Sequence, residues 1–476
     1  MAVNRRDFLR KSLLGALGGV SVYSAFGNLS LISAAAARST YAFSDYKALV
    51  CVFLNGGNDS FNTIVPYDSG HYATYQSSRH GLALPQSAIA ANALNPIAAS
   101  GSLPGGLPSD GGSYGLHPAM PEMRALFNSG RAAVIANVGT LLHPTTRAEY
   151  QNGTIALPPQ LFSHSDQGSQ WQTSRPDDAN ANGWGGRMAD LLYAGNANQQ
   201  LPMSISLSGT NLFQRGSLIN QYSMSPSGVS PMNYSGNGGD SWIIGPNPHG
   251  QAAYDALMSG QQHRHVMERA FAAATSSAID NSAAVKAALD GAPALVTEFP
   301  GDNPLAAQLR MVARLMQVRG ALGMQRQVFF VSVGNYDTHS YQLENQESNL
   351  SLLSQALGAF HAATEELGIA DGVTSFTASD FGRALSVNSG GTDHGWGGHH
   401  FVVGGAVRGQ RFYGAMPSLL QNANPDDTGH GQIIPTTAVD QYAATLANWL
   451  GVSPSDLGDI FPSLSRFDSS NLGFLG

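Results

Sequence analysis

Lys47-Ala-Leu-Val-Cys-Val-Phe-Leu54, followed at once by Asn55-Gly56-Gly57-Asn58-Asp59-Ser60, is the stretch that decides how this sequence folds. Its β-branched and aromatic residues run on without polar alternation, the pattern of a strand buried on both faces in a parallel sheet. The Asn-Gly-Gly turn stops the strand and delivers Asp59 just past its carboxyl end. Similar runs recur at 132–138, 203–207, 327–333, 373–378 and 401–407. Between them lie stripes at helical spacing: Ala119, Met123, Leu126 and Phe127; Leu305, Leu309, Val312 and Leu315; Leu350, Leu353, Leu357 and Phe360. The alternation predicts an α/β fold with a mostly parallel central sheet flanked by helices. Residues 70–115 and 208–250 break the rhythm and read as long loop excursions or lids.

Composition narrows the classes further. Of 476 residues 42% are hydrophobic and 12% charged, against roughly 25% charged in an average soluble protein. The formal charge of −8 argues against nucleic acid as a partner, because that grip needs basic surface. A single cysteine, Cys51, excludes an intramolecular disulfide and a thiolate zinc cluster, each of which needs at least two sulfurs. Any metal would be held by oxygen and nitrogen.

Residues 1–37 read as an address. Asn4-Arg5-Arg6-Asp7-Phe8-Leu9-Arg10 precedes a moderately apolar segment from Leu13 to Ile32 and then Ser33-Ala34-Ala35-Ala36-Ala37. This resembles a twin-arginine signal peptide with a small-residue cleavage site. A transmembrane anchor fits less well, since Asn28 and several Gly and Ser interrupt the run. The expected partner is the twin-arginine translocation machinery, the expected location periplasmic or extracellular, and no stable membrane insertion follows cleavage. Residues 38–476 are expected to form one α/β domain.

The chemistry-bearing residues follow the strands. Asp59 follows 47–54, Asp337 and His339 follow 327–333, and Asp380 follows 373–378 in Ser379-Asp380-Phe381-Gly382-Arg383. A histidine-dense loop comes next, with Asp393, His394, His399 and His400. Parallel strands share a carboxyl edge where ligands bind, so these segments are expected to converge. One aspartate after a strand commonly caps a helix or makes an Asx turn. Three of them with two histidines point to a divalent cation, zinc first, with manganese, calcium or magnesium as alternatives. A second candidate is Ser163-His164-Ser165-Asp166, where Ser165 is either a helix cap or a nucleophile at a helix N-terminus. Arg187 and Arg383 are candidate anion clamps, since guanidinium matches phosphate or sulfate oxygens in a fork.

These pieces together resemble the exported family grouped as domain of unknown function 1501, itself similar to a distant branch of the alkaline phosphatase and sulfatase superfamily. The matching residues are Gly56-Gly57-Asn58-Asp59, Ser163-His164-Ser165-Asp166, Asp337-Thr338-His339, Ser379-Asp380-Phe381-Gly382-Arg383 and Asp393-His394. The resemblance implies an alkaline phosphatase-like sandwich with metals at the strand ends. It implies Asp59 as the first metal aspartate, Asp337 and His339 as the middle pair, Asp380 as the later aspartate and His394 as the last histidine. The sequence departs from that pattern at Phe381, where the superfamily usually has histidine, and it shows no unmistakable nucleophile motif.

The leading expectation is therefore an exported, metal-dependent hydrolase of small or polymeric phosphate or sulfate esters. Ser163, His164, Ser165, Arg187 and Arg383 are the catalytic candidates, and Asp59, Asp337, His339, Asp380, Asp393 and His394 the metal candidates. A non-catalytic binding or assembly protein on the same fold, with or without a structural metal, is the alternative. A metal-free serine esterase built on Gly239-Asp240-Ser241 fits less well, because that block follows the Gly-Asn-Asp block instead of preceding it. Trp171, Trp184, Trp242, Trp396 and Trp449 would suit a glycan ligand or core packing.

Overall fold

The computed structural model describes residues 41–101, 103–229, 256, 265–421 and 424–476. The signal-like segment 1–37 and the Gly239-Asp240-Ser241 block with Trp242 lie outside the described residues.

The strands are β1 (Lys47–Leu54), β2 (Ile64–Pro66), β3 (Tyr114–Leu116), β4 (Ala132–Gly139), β5 (Ser204–Ser206), β6 (Tyr222–Ser223) and β7 (Arg326–Val333). They continue with β8 (Val373–Ser379), β9 (Arg383–Val387), β10 (Thr392–His394), β11 (Gly398–Gly404), β12 (Phe412–Tyr413) and β13 (Thr437–Ala438). The helices that matter below are α1 (Ser60–Thr63), α2 (Ser69–Arg79), α3 (Gln86–Ala91), α4 (Pro121–Asn128) and α5 (His164–Thr173). After them come α6 (Trp184–Leu192), α7 (Pro304–Gln317), α8 (Gln342–Glu366) and α9 (Val439–Leu450).

The main sheet runs β12-β4-β11-β8-β1-β7-β5-β6, with β13 also on β4. β1 pairs in parallel with β7 and with β8, as its two-sided burial requires. Its residues alternate between two cores: Ala48, Val50, Val52 and Leu54 pack with α4, α7 and α8, and Leu49, Cys51 and Phe53 with α6 and α9. The expected α/β layering with a mostly parallel sheet is therefore what the chain adopts.

Two expectations need correction. The last run, read as 401–407, forms β11 from Gly398 to Gly404, antiparallel to both β4 and β8. His399 and His400 thus sit inside a buried strand, where His399 Nδ1 accepts the Asn137 N–H at 3.1 Å and His400 Nδ1 lies 3.2 Å from the Thr377 hydroxyl. The stretch 70–115 is no open excursion, since it holds most of α2, all of α3 and the start of β3. Tyr75 and Ile89 bury into a core of their own with Phe61 and Val65. The described part of the second stretch contributes β6 to the sheet edge. Of the tryptophans, Trp171, Trp184, Trp396 and Trp449 are buried, which is packing and not a glycan platform.

Arg187 also falls in the core and is no anion clamp. Its buried guanidinium donates to the carbonyls of Ile460 at 2.7 and 3.1 Å, of Thr173 at 2.6 Å and of Asn182. Burial lowers its pKa to about 9. On α9, Asp440 is buried too, and one of its oxygens has no hydrogen-bond partner. Burial pushes its carboxyl up to about 7, against the pull of Ser174 and Arg187. A folded-state pKa raised above the unfolded value adds stability below the unfolded value, and this is lost as pH rises through about 7. Asp440→Asn, which cannot ionise, is expected to be more stable than the parent at pH 8 by on the order of 1–3 kcal/mol, with the gap closing toward pH 4. Denaturant melts across that range test this; an equal gap at both ends would show that Asp440 does not titrate with folding.

Candidate metal centre

Parallel pairing brings the turn after β1, the loop after β7 and the segment after β8 to one edge of the sheet. The β9–β10 hairpin returns over that edge and ends at His394. Close approach depends on Gly56 and Gly57, both at positive φ. A Cβ on Gly56 would sit 2.4 Å from the Asp337 nitrogen, and one on Gly57 2.4 Å from the Phe381 ring. A fifth segment arrives from the start of α5, where Ser163 is the N-cap and His164 the first helical residue.

Three imidazoles and one carboxylate converge there. His394 Nε2 lies 3.1 Å from His164 Nε2 and 3.0 Å from His339 Nε2. Asp337 Oδ1 is 3.0 Å from His339 Nε2 and 3.4 Å from His394 Nε2, while its Oδ2 is 3.4 Å from His164 Nε2. His164, Asp337 and His394 each turn a ligand atom to within 4.8 Å of the others. Ligands at about 2.0–2.1 Å around a tetrahedral zinc stand about 3.3–3.4 Å apart, so these spacings are close to the edges of such a shell.

The remote ring nitrogens are also committed. His394 Nδ1 lies 2.7 Å from the Phe162 carbonyl, which can only accept, so Nδ1 carries the hydrogen. His164 Nδ1 donates to Asp380 Oδ2 at 2.7 Å. His339 Nδ1 faces Asp393 Oδ1 at 3.4 Å. Burial lowers the pKa of His394, against the pull of the Phe162 carbonyl, which favours a neutral ring with its lone pair on Nε2. With Nδ1 of each ring occupied by an oxygen, His164 and His394 turn their Nε2 atoms toward one another across 3.1 Å. Imidazoles backed by a carboxylate or carbonyl are the usual dress of metal-bound histidine.

The surrounding residues hold this geometry. Burial raises the Asp337 carboxyl, but the Arg383 hydrogen bond and charge, with His339 and His164, outweigh it and keep the group below its usual value. Burial raises Asp380 above its usual value, with His164 and the Gly56 N–H pulling it back in part. The Phe381 ring centroid lies 4.7 Å from that of His164 and 4.8 Å from that of His394, an apolar wall beside both imidazoles. Phe162, Asn335 and Tyr341 adopt left-handed φ of 70°, 70° and 51° in the loops that carry the donors. Such strain in non-glycine residues costs on the order of 1 kcal/mol each and collects at functional sites.

Several expected site residues are placed elsewhere. Asp59 caps α1 through the Phe61 N–H at 3.1 Å and spends its other oxygen on Arg79 and Gln342. Buried and paired in this way, it is not among the converging donors, which corrects its reading as a metal ligand. Arg383 is fully buried: it donates to Asp337 Oδ1 at 2.8 Å, to the Gly56 carbonyl at 3.2 Å and to Thr392, leaving none of its nitrogens for an anion clamp. Asp380 and Asp393 back the imidazoles. The Ser163 hydroxyl donates to Asp166 Oδ2 at 2.5 Å and that of Ser165 to the same oxygen at 3.3 Å. Ser163, not Ser165, is the helix cap, and His164 joins the donor cluster itself. Sequence reading missed Arg79, Gln342 and the Phe162 carbonyl; a backbone acceptor leaves no residue-type signal.

If Asp59 serves the fold, Asp59→Ala is expected to destabilise the protein by about 3–5 kcal/mol by leaving the buried Arg79 unpaired, while metal uptake per folded molecule stays unchanged. Denaturant melts with metal analysis check both; lost metal at unchanged stability would restore Asp59 as a ligand. No curated protein matches the chain by sequence. The model of the family described as "Protein of unknown function (DUF1501)" matches residues 46–441, and the chain belongs to that family.

Proposed function

We propose that this protein is an exported, metal-dependent hydrolase of phosphate or sulfate esters, with His164, His339, His394 and Asp337 as the metal-binding group. The observation that carries the reading is the 3.1 Å approach of His164 Nε2 to His394 Nε2 while the Nδ1 of each ring is occupied by an acceptor. The donor set suits zinc best, three imidazoles with one carboxylate and no sulfur. A bound divalent ion would polarise the ester oxygen and make water a nucleophile at neutral pH.

The chain's own residues supply the rest. Asp380 and the Phe162 carbonyl fix the ring orientations of His164 and His394, Arg383 fixes Asp337, and Phe381 keeps water from one side of the imidazoles. His164, His339 and Asp337 remain partly open to solvent, which admits a substrate. In hydrolysis, water oxygen bonds to phosphorus or sulfur, the ester oxygen's bond to that atom breaks, and the departing oxygen takes up a proton. The ester class rests on the family's likeness to the phosphatase and sulfatase superfamily, and export rests on Arg5-Arg6 and the Ala-rich end of the leader.

One observation favours a second reading. Arg187 and Arg383, the expected clamps, are both bonded within the fold, as suits a binding or assembly protein with a structural metal.

Plasma mass spectrometry of the mature protein is expected to find about one equivalent of divalent metal. His394→Ala is expected to lose the metal and ester hydrolysis together, and Asp380→Ala to weaken metal affinity about 10–100-fold. A metal-free, folded parent would remove the proposal. A metal-loaded parent inert to phosphate monoesters, phosphodiesters and sulfate esters would leave the binding-protein reading.

A further inference from the structure

Resting on the hydrolase reading, we infer that the ester this centre accepts carries one negative charge at its reacting group, as a phosphodiester or a sulfate monoester does, and not the two of a phosphate monoester. The inference comes from where the charges lie. The solvent side of the cluster carries Asp337, 44% exposed, and Asp393, 69% exposed. Asp380 stands behind His164 with 10% exposure.

Among the described residues, the guanidinium groups of Arg383 and Arg79 stand behind these carboxylates, and neither reaches solvent. The Arg383 side chain is 0% exposed, on the inner side of Asp337, with all three of its nitrogens donating to Asp337, Gly56 or Thr392. The Arg79 side chain is also 0% exposed and is spent on Asp59. A divalent ion together with Arg383 would about neutralise Asp337, Asp380 and Asp393. An arriving monoanion could replace a neutral ligand at modest electrostatic cost. A dianion would bring a second charge toward an acidic rim at which neither Arg383 nor Arg79 is exposed to receive it, and like charges set face to face are a strong source of discrimination.

Phosphodiesters and sulfate monoesters share the relevant chemistry, a tetrahedral centre with a single charge. They differ in the central atom and in whether a second ester arm must be housed, and experiment can separate them. Asp393 is the residue to vary, because its exposure makes loss of the fold a small risk and an asparagine keeps an oxygen for the Asn388 amide that donates to it at 2.8 Å.

The test uses the full mature protein loaded with cobalt, whose visible spectrum reports binding without turnover, at pH 8. Methyl phosphate and methyl sulfate have nearly the same shape and differ by one charge; dimethyl phosphate adds the diester arm. Methyl phosphate is expected to bind at least about tenfold more weakly than the tighter of the two monoanions, and which of those is tighter distinguishes the two sources. Asp393→Asn is expected to narrow that gap several-fold. Tighter binding of methyl phosphate, or an unchanged gap in Asp393→Asn, would overturn the inference. Hydrolysis of p-nitrophenyl phosphate, bis(p-nitrophenyl) phosphate and p-nitrophenyl sulfate by the zinc-loaded protein separates the two levels. Preference for the phosphate monoester sinks the charge rule and keeps the hydrolase, whereas inertness toward all three sinks both.

Discussion

Parallel pairing of β1 with β7 on one side and β8 on the other is the constraint on which the rest of the structure depends. Parallel neighbours must end at the same edge, so whatever follows each strand is delivered to one place regardless of its distance along the chain. The Gly56 N–H bonding Asp380 Oδ2 at 3.1 Å joins residues 324 apart in sequence. The pairing holds because β1 is apolar on both faces and each face has its own helical layer, so exposing either would forfeit the burial that drives the fold.

At the edge the packing problem becomes electrostatic. Imidazoles and carboxylates cannot be crowded together without a rule for where each proton sits. Here the rule is set from outside the cluster: Asp380 accepts from His164, the Phe162 carbonyl from His394, and Arg383 donates to Asp337. Each backing group is itself anchored. Asp380 receives the Gly56 N–H, and the Phe162 N–H is taken by the Gln167 side chain. Such an arrangement fixes the orientation of the ring nitrogens and of the Asp337 carboxylate from outside the cluster.

The sequence revealed what depends on local pattern and concealed what depends on partners. The two-sided run at 47–54, the helical stripes, and the placing of Asp337 and Asp380 past strand ends were all legible, because burial on both faces and strand-end delivery leave marks in residue type. The direction of β11 was not, since an apolar run reads the same in either direction, and the two histidines expected beside the strand lie within it. Asp59 and Asp380 looked alike in sequence. What separates them is Arg79, a residue on α2 that only tertiary packing brings to Asp59. Arg383 seemed to wait for an anion because nothing in its neighbourhood names Asp337 and Thr392 as its acceptors.

Phe381 shows how one apolar side chain shapes the site. An imidazole at this position would add a fourth ring nitrogen to the cluster and a further proton to place. The phenyl ring instead lies against His164 and His394 at once, with centroid distances of 4.7 and 4.8 Å, and closes that side with carbon. It is itself pinned by the open space that Gly57 leaves, since a side chain there would collide with the ring. With Phe381 on that flank and Asp59 held by Arg79, His164, His394 and Asp337 turn their ligand atoms toward one another, and His339 adjoins them through His394 and Asp337. Tight turn, phenyl wall and imidazole pair thus form one packing unit, in which the glycine that admits the ring matters to the donor geometry as much as the histidines do.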